Sequence, residues 1–114
     1  MIEIDIKRFL EDKITDVPVF VGEKPKDKPI EYVVIQTIAG YRQNEIDSIT
    51  LNFESYSDSM LKTAQLNERV KSAILDSIEL SNISSARYSG GGQNIDTATK
   101  TYCYESVFNF YYYN

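Results

Sequence analysis

Carboxylates are plentiful in this chain, with seventeen Asp and Glu residues, but other residue types that catalysis often uses are scarce. The sequence contains no histidine, so it lacks the commonest general base and metal ligand, together with every Ser-His or Cys-His nucleophile. The single cysteine, Cys103, lies in an alternating stretch, where a small packed side chain is its simplest interpretation. A carboxylate pair assembled by the fold stays open as a source of catalysis, although no spacing in the sequence favours one. We expect a protein that is not an enzyme.

A run of three glycines invites a phosphate-binding interpretation. No Lys-Ser or Lys-Thr follows it, and it precedes a predicted strand where a phosphate loop would begin a helix. We therefore predict a flexible loop over residues 89–99, which is either a passive hairpin tip or a docking element. Its candidate interface residues are Gly90, Gly91, Gly92, Gln93 and Asn94. Since no acidic residues have the spacing of a calcium loop, we expect neither a metal nor a cofactor.

Twelve basic and seventeen acidic residues give the chain a formal net charge of −5. Nucleic-acid binding through phosphates needs clustered lysine and arginine, whereas the local group Lys24, Lys26 and Lys28 is interleaved with acidic residues and prolines. A solvated loop is the favoured interpretation of that group. We expect no specific nucleic-acid binding, and no membrane partner because the apolar runs are too short to cross a bilayer. The expected place of action is a cytoplasm, or a structure assembled in one.

The elements that must position any site are organised around one long helix, predicted to end at Glu79. Ser57, Asp58 or Ser59 can cap its first free N–H groups. On a helical wheel the apolar residues form one broad stripe, which contains Leu66, Val70, Ala73, Ile74 and Ile78. The opposite side contains Gln65, Arg69, Ser72 and Asp76.

Strands surround this helix, and a short amphipathic helix over residues 2–15 precedes them. We predict strands over residues 17–21, 30–38, 48–54, 83–88 and 101–113, with residues 41–47 as a hairpin connection. Consecutive strands are close enough in sequence to pair as antiparallel hairpins. The chain thus predicts one domain, residues 1–114, of the α+β class: a largely antiparallel sheet of four to five strands with one long and one short helix packed on one face.

Nine tyrosines are present, and several fall in the last predicted strand. Tyrosine combines a large contact area with a polar tip, which suits either cross-strand packing or a contact surface for a partner. As a group, the tyrosines at the end of the chain favour an interface. The candidates are Tyr111, Tyr112 and Tyr113.

Several short sequence segments follow one another in the same order as in a known protein family. Thr15-Asp16-Val17-Pro18-Val19-Phe20 comes after the first helix, and Tyr32-Val33-Val34-Ile35 follows a loop that ends in Pro29. The strand Ile49-Thr50-Leu51-Asn52-Phe53-Glu54-Ser55-Tyr56 leads into the long helix, and an aromatic strand from Tyr104 to Tyr113 follows. Together they resemble the tail terminator and tail-to-head joining proteins of long-tailed bacteriophages and prophages, over almost the whole chain.

This resemblance implies an α+β subunit that assembles with copies of itself into a ring, commonly a hexamer, at the head-proximal end of the phage tail. Such a ring stops polymerisation of the tail tube and docks on the head, so the implied partners are the major tail protein and a head completion or connector protein. DNA would pass through the ring without being held. The implied location is the virion, assembled in the cytoplasm of the host bacterium. Two alternatives stay open: another phage neck component that closes the head or connects head to tail, and a non-phage α+β binding domain or small enzyme.

Overall fold

A five-stranded sheet is the largest element of the fold, and the computed structural model describes residues 2–43, 46–96 and 101–113. The elements, in chain order, are α1 (Ile2–Lys13), β1 (Val19–Val21), β2 (Tyr32–Gln43), β3 (Ile46–Ser57), α2 (Met60–Leu75), β4 (Ile83–Asp96) and β5 (Thr101–Tyr113). A 3₁₀ turn, Asp76–Glu79, follows α2. The predicted α+β class is confirmed.

The strands lie in the order β1-β2-β3-β5-β4. The pairs β2–β3, β3–β5 and β4–β5 are antiparallel, in agreement with the sequence-based prediction. The first pair differs, because β1 runs parallel to β2 with Val19 opposite Val33. A parallel neighbour needs a crossover connection, and the loop over residues 22–31 supplies it.

Both helices pack on the same face of the sheet. From α1, Ile2, Ile6 and Leu10 are buried at a spacing of four residues, which places them on one side of the helix. From α2, Leu66, Val70, Ala73 and Ile74 are buried, as predicted. They meet the apolar side chains of the central strands, which include Val33, Ile35, Leu51, Phe53, Phe108 and Phe110.

Local interactions set the two ends of α2. Ser59 is the N-cap, and its Oγ accepts a hydrogen bond from the backbone N–H of Lys62 at 3.2 Å. The predicted burial of Ile78 is wrong, because this side chain is 56% exposed. The regular helix has ended at Leu75, and the tighter 3₁₀ turn that follows rotates Ser77 into the core instead.

The sheet is longer than the helical layer that covers it. The strands β2 to β5 contain 12 to 14 residues and therefore run for roughly 40 Å, whereas the 16 residues of α2 span about 24 Å. The molecule measures 46 × 24 × 24 Å along its principal axes. Parts of β2 and of the outer strand β4 consequently remain exposed, as residues 37–40 and 87–89 show.

The predicted flexible loop over residues 89–99 is wrong for the part that the structure describes. Strand β4 continues to Asp96 and pairs with β5, with Gly90 opposite Val107 and Asn94 opposite Cys103. Glycine and asparagine are depleted in strands, but a backbone ladder with β5 needs no side chain from them. Residues 97–100 lie outside the described part of the chain. The predicted connection over residues 41–47 is likewise mostly strand, since β2 extends to Gln43 and β3 begins at Ile46.

Candidate functional site

The three glycines of β4 have different structural roles. The pairing of β4 with β5 shifts register between Tyr88 and Gly90, and Gly90 has a φ of 133°, which side chains rarely tolerate. At Gly91 a Cβ atom would lie 1.9 Å from the carbonyl oxygen of Glu105, so only glycine fits this close approach of two strands. At Gly92 a Cβ would meet nothing within 4 Å. The bulge and the close approach of the two strands therefore require glycine at positions 90 and 91. No such requirement applies to Gly92.

The remaining two residues of the glycine-containing group, Gln93 and Asn94, are exposed. Gln93 lies opposite Tyr104 and Asn94 opposite Cys103 on β5. Because side chains alternate along a strand, Asn94 is on the face of the sheet opposite to the helices, which we call the open face. Because three of its residues are glycines, the second half of β4, from Gly90 onward, has a backbone edge that few side chains cover on either face of the sheet.

The three C-terminal tyrosines are not equivalent. Tyr111 and Tyr113 are 41% and 54% exposed and lie on the open face by strand alternation. Tyr112 points to the helix side, where it packs against the core, and burial raises the pKa of its hydroxyl. The backbone N–H of Tyr113 donates to the carbonyl oxygen of Asn82 at 2.8 Å, which holds the end of β5. Tyr111 and Tyr113 are therefore available for contact, and Tyr112 is structural.

The structure does not bring the two predicted groups of interface residues together. Asn94 is level with Cys103 on β5, and Tyr111 lies eight residues further along the same strand, a distance of about 26 Å. They occupy opposite ends of the sheet. They can serve as two separate contact surfaces of one subunit.

An aromatic cluster covers one end of the open face, and sequence reasoning missed it. Tyr32 and Tyr56 stack with their ring centroids 4.7 Å apart, and the Nζ of Lys24 lies 4.6 Å from the centroid of the Tyr56 ring. Val34 and Cys103 complete the buried cluster. Burial raises the pKa of the Cys103 thiol to about 11. The thiol stays protonated at neutral pH and acts as a small packed side chain, as its sequence context predicts.

Beside this cluster the open face is polar. Glu54 of β3 lies directly opposite Glu105 of β5, and the Nε2 of Gln36 donates to Glu54 Oε1 at 3.4 Å. Burial raises the pKa of Glu54 and the charge of Glu105 raises it further, while the hydrogen bond from Gln36 lowers it. Asn52 Oδ1 is also buried, without a hydrogen-bond partner in the described part of the chain. Such an atom is normally satisfied, and a partner that covers the open face can satisfy it.

The sequence left a carboxylate pair open as a source of catalysis, and Glu54 and Glu105 are the pair that the sheet assembles. The two residues are cross-strand neighbours, and the charge of Glu105 is one of the causes that raise the pKa of Glu54. They stand on an open sheet face. Neither residue lines the two grooves that flank α1.

Two surface grooves flank α1. The larger, of about 450 Å³, has an apolar floor of Ile14 and Ala73 and a charged rim that includes Lys13 and Asp76. Arg69 closes one side of it through a two-pronged ion pair with Asp16, and these hydrogen bonds lower the pKa of the Asp16 carboxyl. The smaller groove, of about 360 Å³, lies between α1 and the segment that includes Leu80 and Asn82. Both grooves lie where α1 packs against neighbouring segments, and this packing explains why they are present.

Within residues 2–43, 46–96 and 101–113, no group of three or more Cys, Asp or Glu side chains is arranged to hold a metal ion. In the same part of the chain, no helix is both long and apolar enough to span a membrane. No protein-family model matches the chain, and no curated protein is significantly similar to it in sequence.

The features that sequence reasoning missed are all products of strand pairing. The stacked Tyr32 and Tyr56 are 24 positions apart in the chain, and Glu54 and Glu105 are 51 positions apart. No local period reveals such a register. One signal was present in the sequence. Phe20, Tyr32, Tyr56 and Tyr104 are large aromatic residues at strand positions, and alternation alone requires some of them to face away from the helices.

Proposed function

We propose that this chain is a subunit of the ring that ends a bacteriophage tail at its head-proximal side, stops polymerisation of the tail tube and joins tail to head. The observation that carries the proposal is the resemblance in the order of elements over almost the whole chain. The chain order α1, β1, β2, β3, α2, β4 and β5, with an aromatic last strand, supports this resemblance.

The surfaces of the subunit support a self-assembling role. A closed ring of identical subunits needs two different surfaces that meet head to tail. The subunit has separate exposed surfaces for such contacts, among them the exposed half of β4 and the Tyr111–Tyr113 end of β5, at opposite ends of the sheet. The uncovered open face, with the unpartnered Asn52 Oδ1, adds a third surface for a tail or head component.

The charge of the chain also suits this role. DNA must pass through a ring at the head–tail junction without being retained, and a formal net charge of −5 disfavours binding to phosphates. The partners in this proposal are other copies of the chain, the major tail tube protein and a head completion or connector protein. The location is the head–tail interface of the virion, assembled in the host cytoplasm.

A genetic experiment tests the proposal. In the phage or prophage that encodes the chain, a nonsense codon early in its gene should give filled heads and tails that remain separate, with tails of uncontrolled length. Supplying the chain in trans should restore joined particles. Joined particles of normal tail length in the absence of the chain would contradict the proposal.

A further inference from the structure

Two strands leave part of their backbone edge without a neighbouring strand among the described residues. They are β4, at one side of the sheet, and β2, which the short strand β1 covers only in part. β1 pairs with only Val33, Val34 and Ile35 of β2, and Gly22 N–H adds one hydrogen bond to Ile35. Among the described residues, no strand lies beside residues 36–43 of β2 or on the outer side of β4. These two stretches are called the β2 edge (residues 36–43) and the β4 edge (residues 90–96).

Both edges have few of the devices that prevent strand pairing, since each contains a single charged residue near its end, Arg42 in the β2 edge and Asp96 in the β4 edge. Isolated edge strands are commonly protected by charged residues, by proline or by being very short. No proline and no charged residue occurs from Gln36 to Tyr41, or from Tyr88 to Ile95. Each edge also exposes an apolar side chain, since Ile38 is 56% and Ile95 44% exposed. By contrast β1, the short outer strand, has three residues and follows Pro18.

We propose that the β4 edge of one subunit pairs with the β2 edge of the next copy of this chain, so that the sheets of neighbouring subunits join edge to edge around the ring. This inference rests on the proposed ring, because its occupant is a second copy of the chain. It specifies which surfaces meet.

The strand directions fit this pairing. β2 is antiparallel to β3, β3 to β5, and β5 to β4, so β4 runs antiparallel to β2 within one subunit. If a rotation about a ring axis that runs roughly along the sheet relates neighbouring subunits, the strands of each subunit keep these directions relative to that axis. The β4 edge therefore meets the β2 edge of the next subunit as an antiparallel neighbour, which forms a regular ladder of hydrogen bonds.

The strand β1 of the neighbouring subunit limits the register in which the β4 edge can pair with the β2 edge. Gly90 is level with Gln36, through Val107 and Asn52 on the intervening strands. Without a shift, the β4 edge would run into the place that β1 of the neighbour occupies. A shift of about six residues, measured along the regular strand β3, or roughly 20 Å, moves the β4 edge past β1 and onto the β2 edge.

This shift is compatible with ring closure. The four strands from one junction to the next, β2, β3, β5 and β4, are about 19 Å wide, so a shift of roughly 20 Å per subunit corresponds to strands tilted by about 45° from the ring axis. Closed sheets have strand tilts of roughly 35–45°. The edges can therefore join while the ring closes, and no helical offset accumulates.

Side-chain alternation predicts a specific pair of residues at the junction. Asn94 is on the open face because it lies opposite Cys103, and Ala39 is on the same face because it lies opposite Thr50. With the shift above, Asn94 of one subunit lies opposite Ala39 of the next. Both residues are exposed in the isolated subunit, so cysteine at either position leaves the core intact.

The test is cross-linking of the double variant Asn94→Cys, Ala39→Cys. A bifunctional thiol reagent with a reach of about 8 Å spans both the direct and the diagonal cross-strand positions. Cys103 is replaced in every variant by Cys103→Ala, because it lies directly opposite Asn94 and would compete for the reagent within one subunit. The matched control is Asn94→Cys with Ser72→Cys, since Ser72 is exposed on α2 on the other side of the sheet.

In assemblies formed by the full chain with the tail tube protein, the double variant should give a ladder of covalent multimers. Their yield should exceed that of the control by at least about tenfold, because held-together thiols react at a high effective concentration. Rings that form without cross-links above the control would overturn the edge-to-edge junction and leave the ring standing. Covalent dimers from Asn94→Cys alone would overturn it in favour of twofold pairing of β4 with β4. If neither rings nor cross-links form, the proposed ring fails together with its junction.

Hydrogen exchange on the unaltered chain gives a second readout that does not depend on the variants. Backbone amides that become part of a ladder exchange more slowly. Assembly should slow exchange within residues 36–43 and 90–96 together. Unchanged exchange in either stretch would contradict the junction.

Discussion

Glu54 and Glu105 face each other across β3 and β5, on the side of the sheet that the helices leave open. Two like charges directly opposite each other in a sheet are destabilising. Their presence in the middle of a sheet face indicates a surface that packing of the isolated subunit alone does not optimise. Burial, together with the charge of Glu105, raises the pKa of Glu54 above its ordinary value of 4.5.

The first prediction concerns pH. A carboxyl whose pKa is raised in the folded state binds protons more readily there than in the unfolded chain, so its ionisation costs stability at neutral pH and this cost disappears as the pH falls through the raised pKa. We expect Glu54→Gln to increase the free energy of unfolding at pH 7 by up to about 1 kcal/mol, a value kept small by solvent screening.

The gain should shrink as the pH approaches 4.5, the ordinary value for this carboxyl. Denaturant unfolding at several pH values measures it, with Glu23→Gln in the exposed loop after β1 as the control. Identical pH profiles for Glu54→Gln and the unaltered chain would contradict this interpretation of the carboxylate pair.

A second prediction distinguishes the two faces of α2. Ile74 is fully buried between helix and sheet, so Ile74→Asp places an unpaired charge in the core. The cost is several kcal/mol, on the order of the whole stability of a small domain. Gln65→Ala, on the exposed side, should change the free energy of unfolding by less than about 0.5 kcal/mol. Similar melting of the two variants would show that the faces are wrongly assigned.

The third prediction is that substitutions of two adjacent glycines, Gly91 and Gly92, change stability differently. In Gly91→Ala the new methyl group would lie 1.9 Å from the carbonyl oxygen of Glu105, so β4 must move away from β5 at a cost of roughly 1–3 kcal/mol. Gly92→Ala has open space around its Cβ and should be neutral, or stabilising by up to about 1 kcal/mol through the unfolded chain. Thermal unfolding of both variants checks the difference. Equal effects would mean that the pairing of β4 with β5 is not as close as described.

The outcome at these glycines shows where sequence reasoning stops. The cap and the stripe from Leu66 to Ile74 depend on local spacing. The stripe was predicted correctly, and Ser59 was one of three candidate caps. Ile78 was misplaced because a 3₁₀ turn changes the period within one turn of the helix end. The strand at Gly90 was missed because only its partner β5, which follows later in the chain, keeps that stretch extended. The open face required the same long-range register and was invisible for the same reason.

The fourth prediction concerns a buried polar contact between α2 and β5. Ser106 Oγ donates a hydrogen bond to Asn67 Oδ1 within the core. Loss of one partner leaves the other buried and unsatisfied, which costs about 1–3 kcal/mol. We expect Asn67→Ala and Ser106→Ala to be destabilising separately, and the double variant to cost less than their sum by about 1 kcal/mol. Additive effects in a double-mutant cycle would show that the two side chains do not interact.

The central claim is that this chain is built to close into a ring with copies of itself. The most direct measurement is the mass of the purified full chain by light scattering, alone and after mixing with the tail tube protein of the same phage, together with negative-stain images of the same samples. We predict a discrete closed assembly, of about six subunits as the resemblance to tail terminators implies, seen as rings in solution or at one end of each tail tube. A chain that stays monomeric in both samples, with tube ends left bare, would contradict the claim.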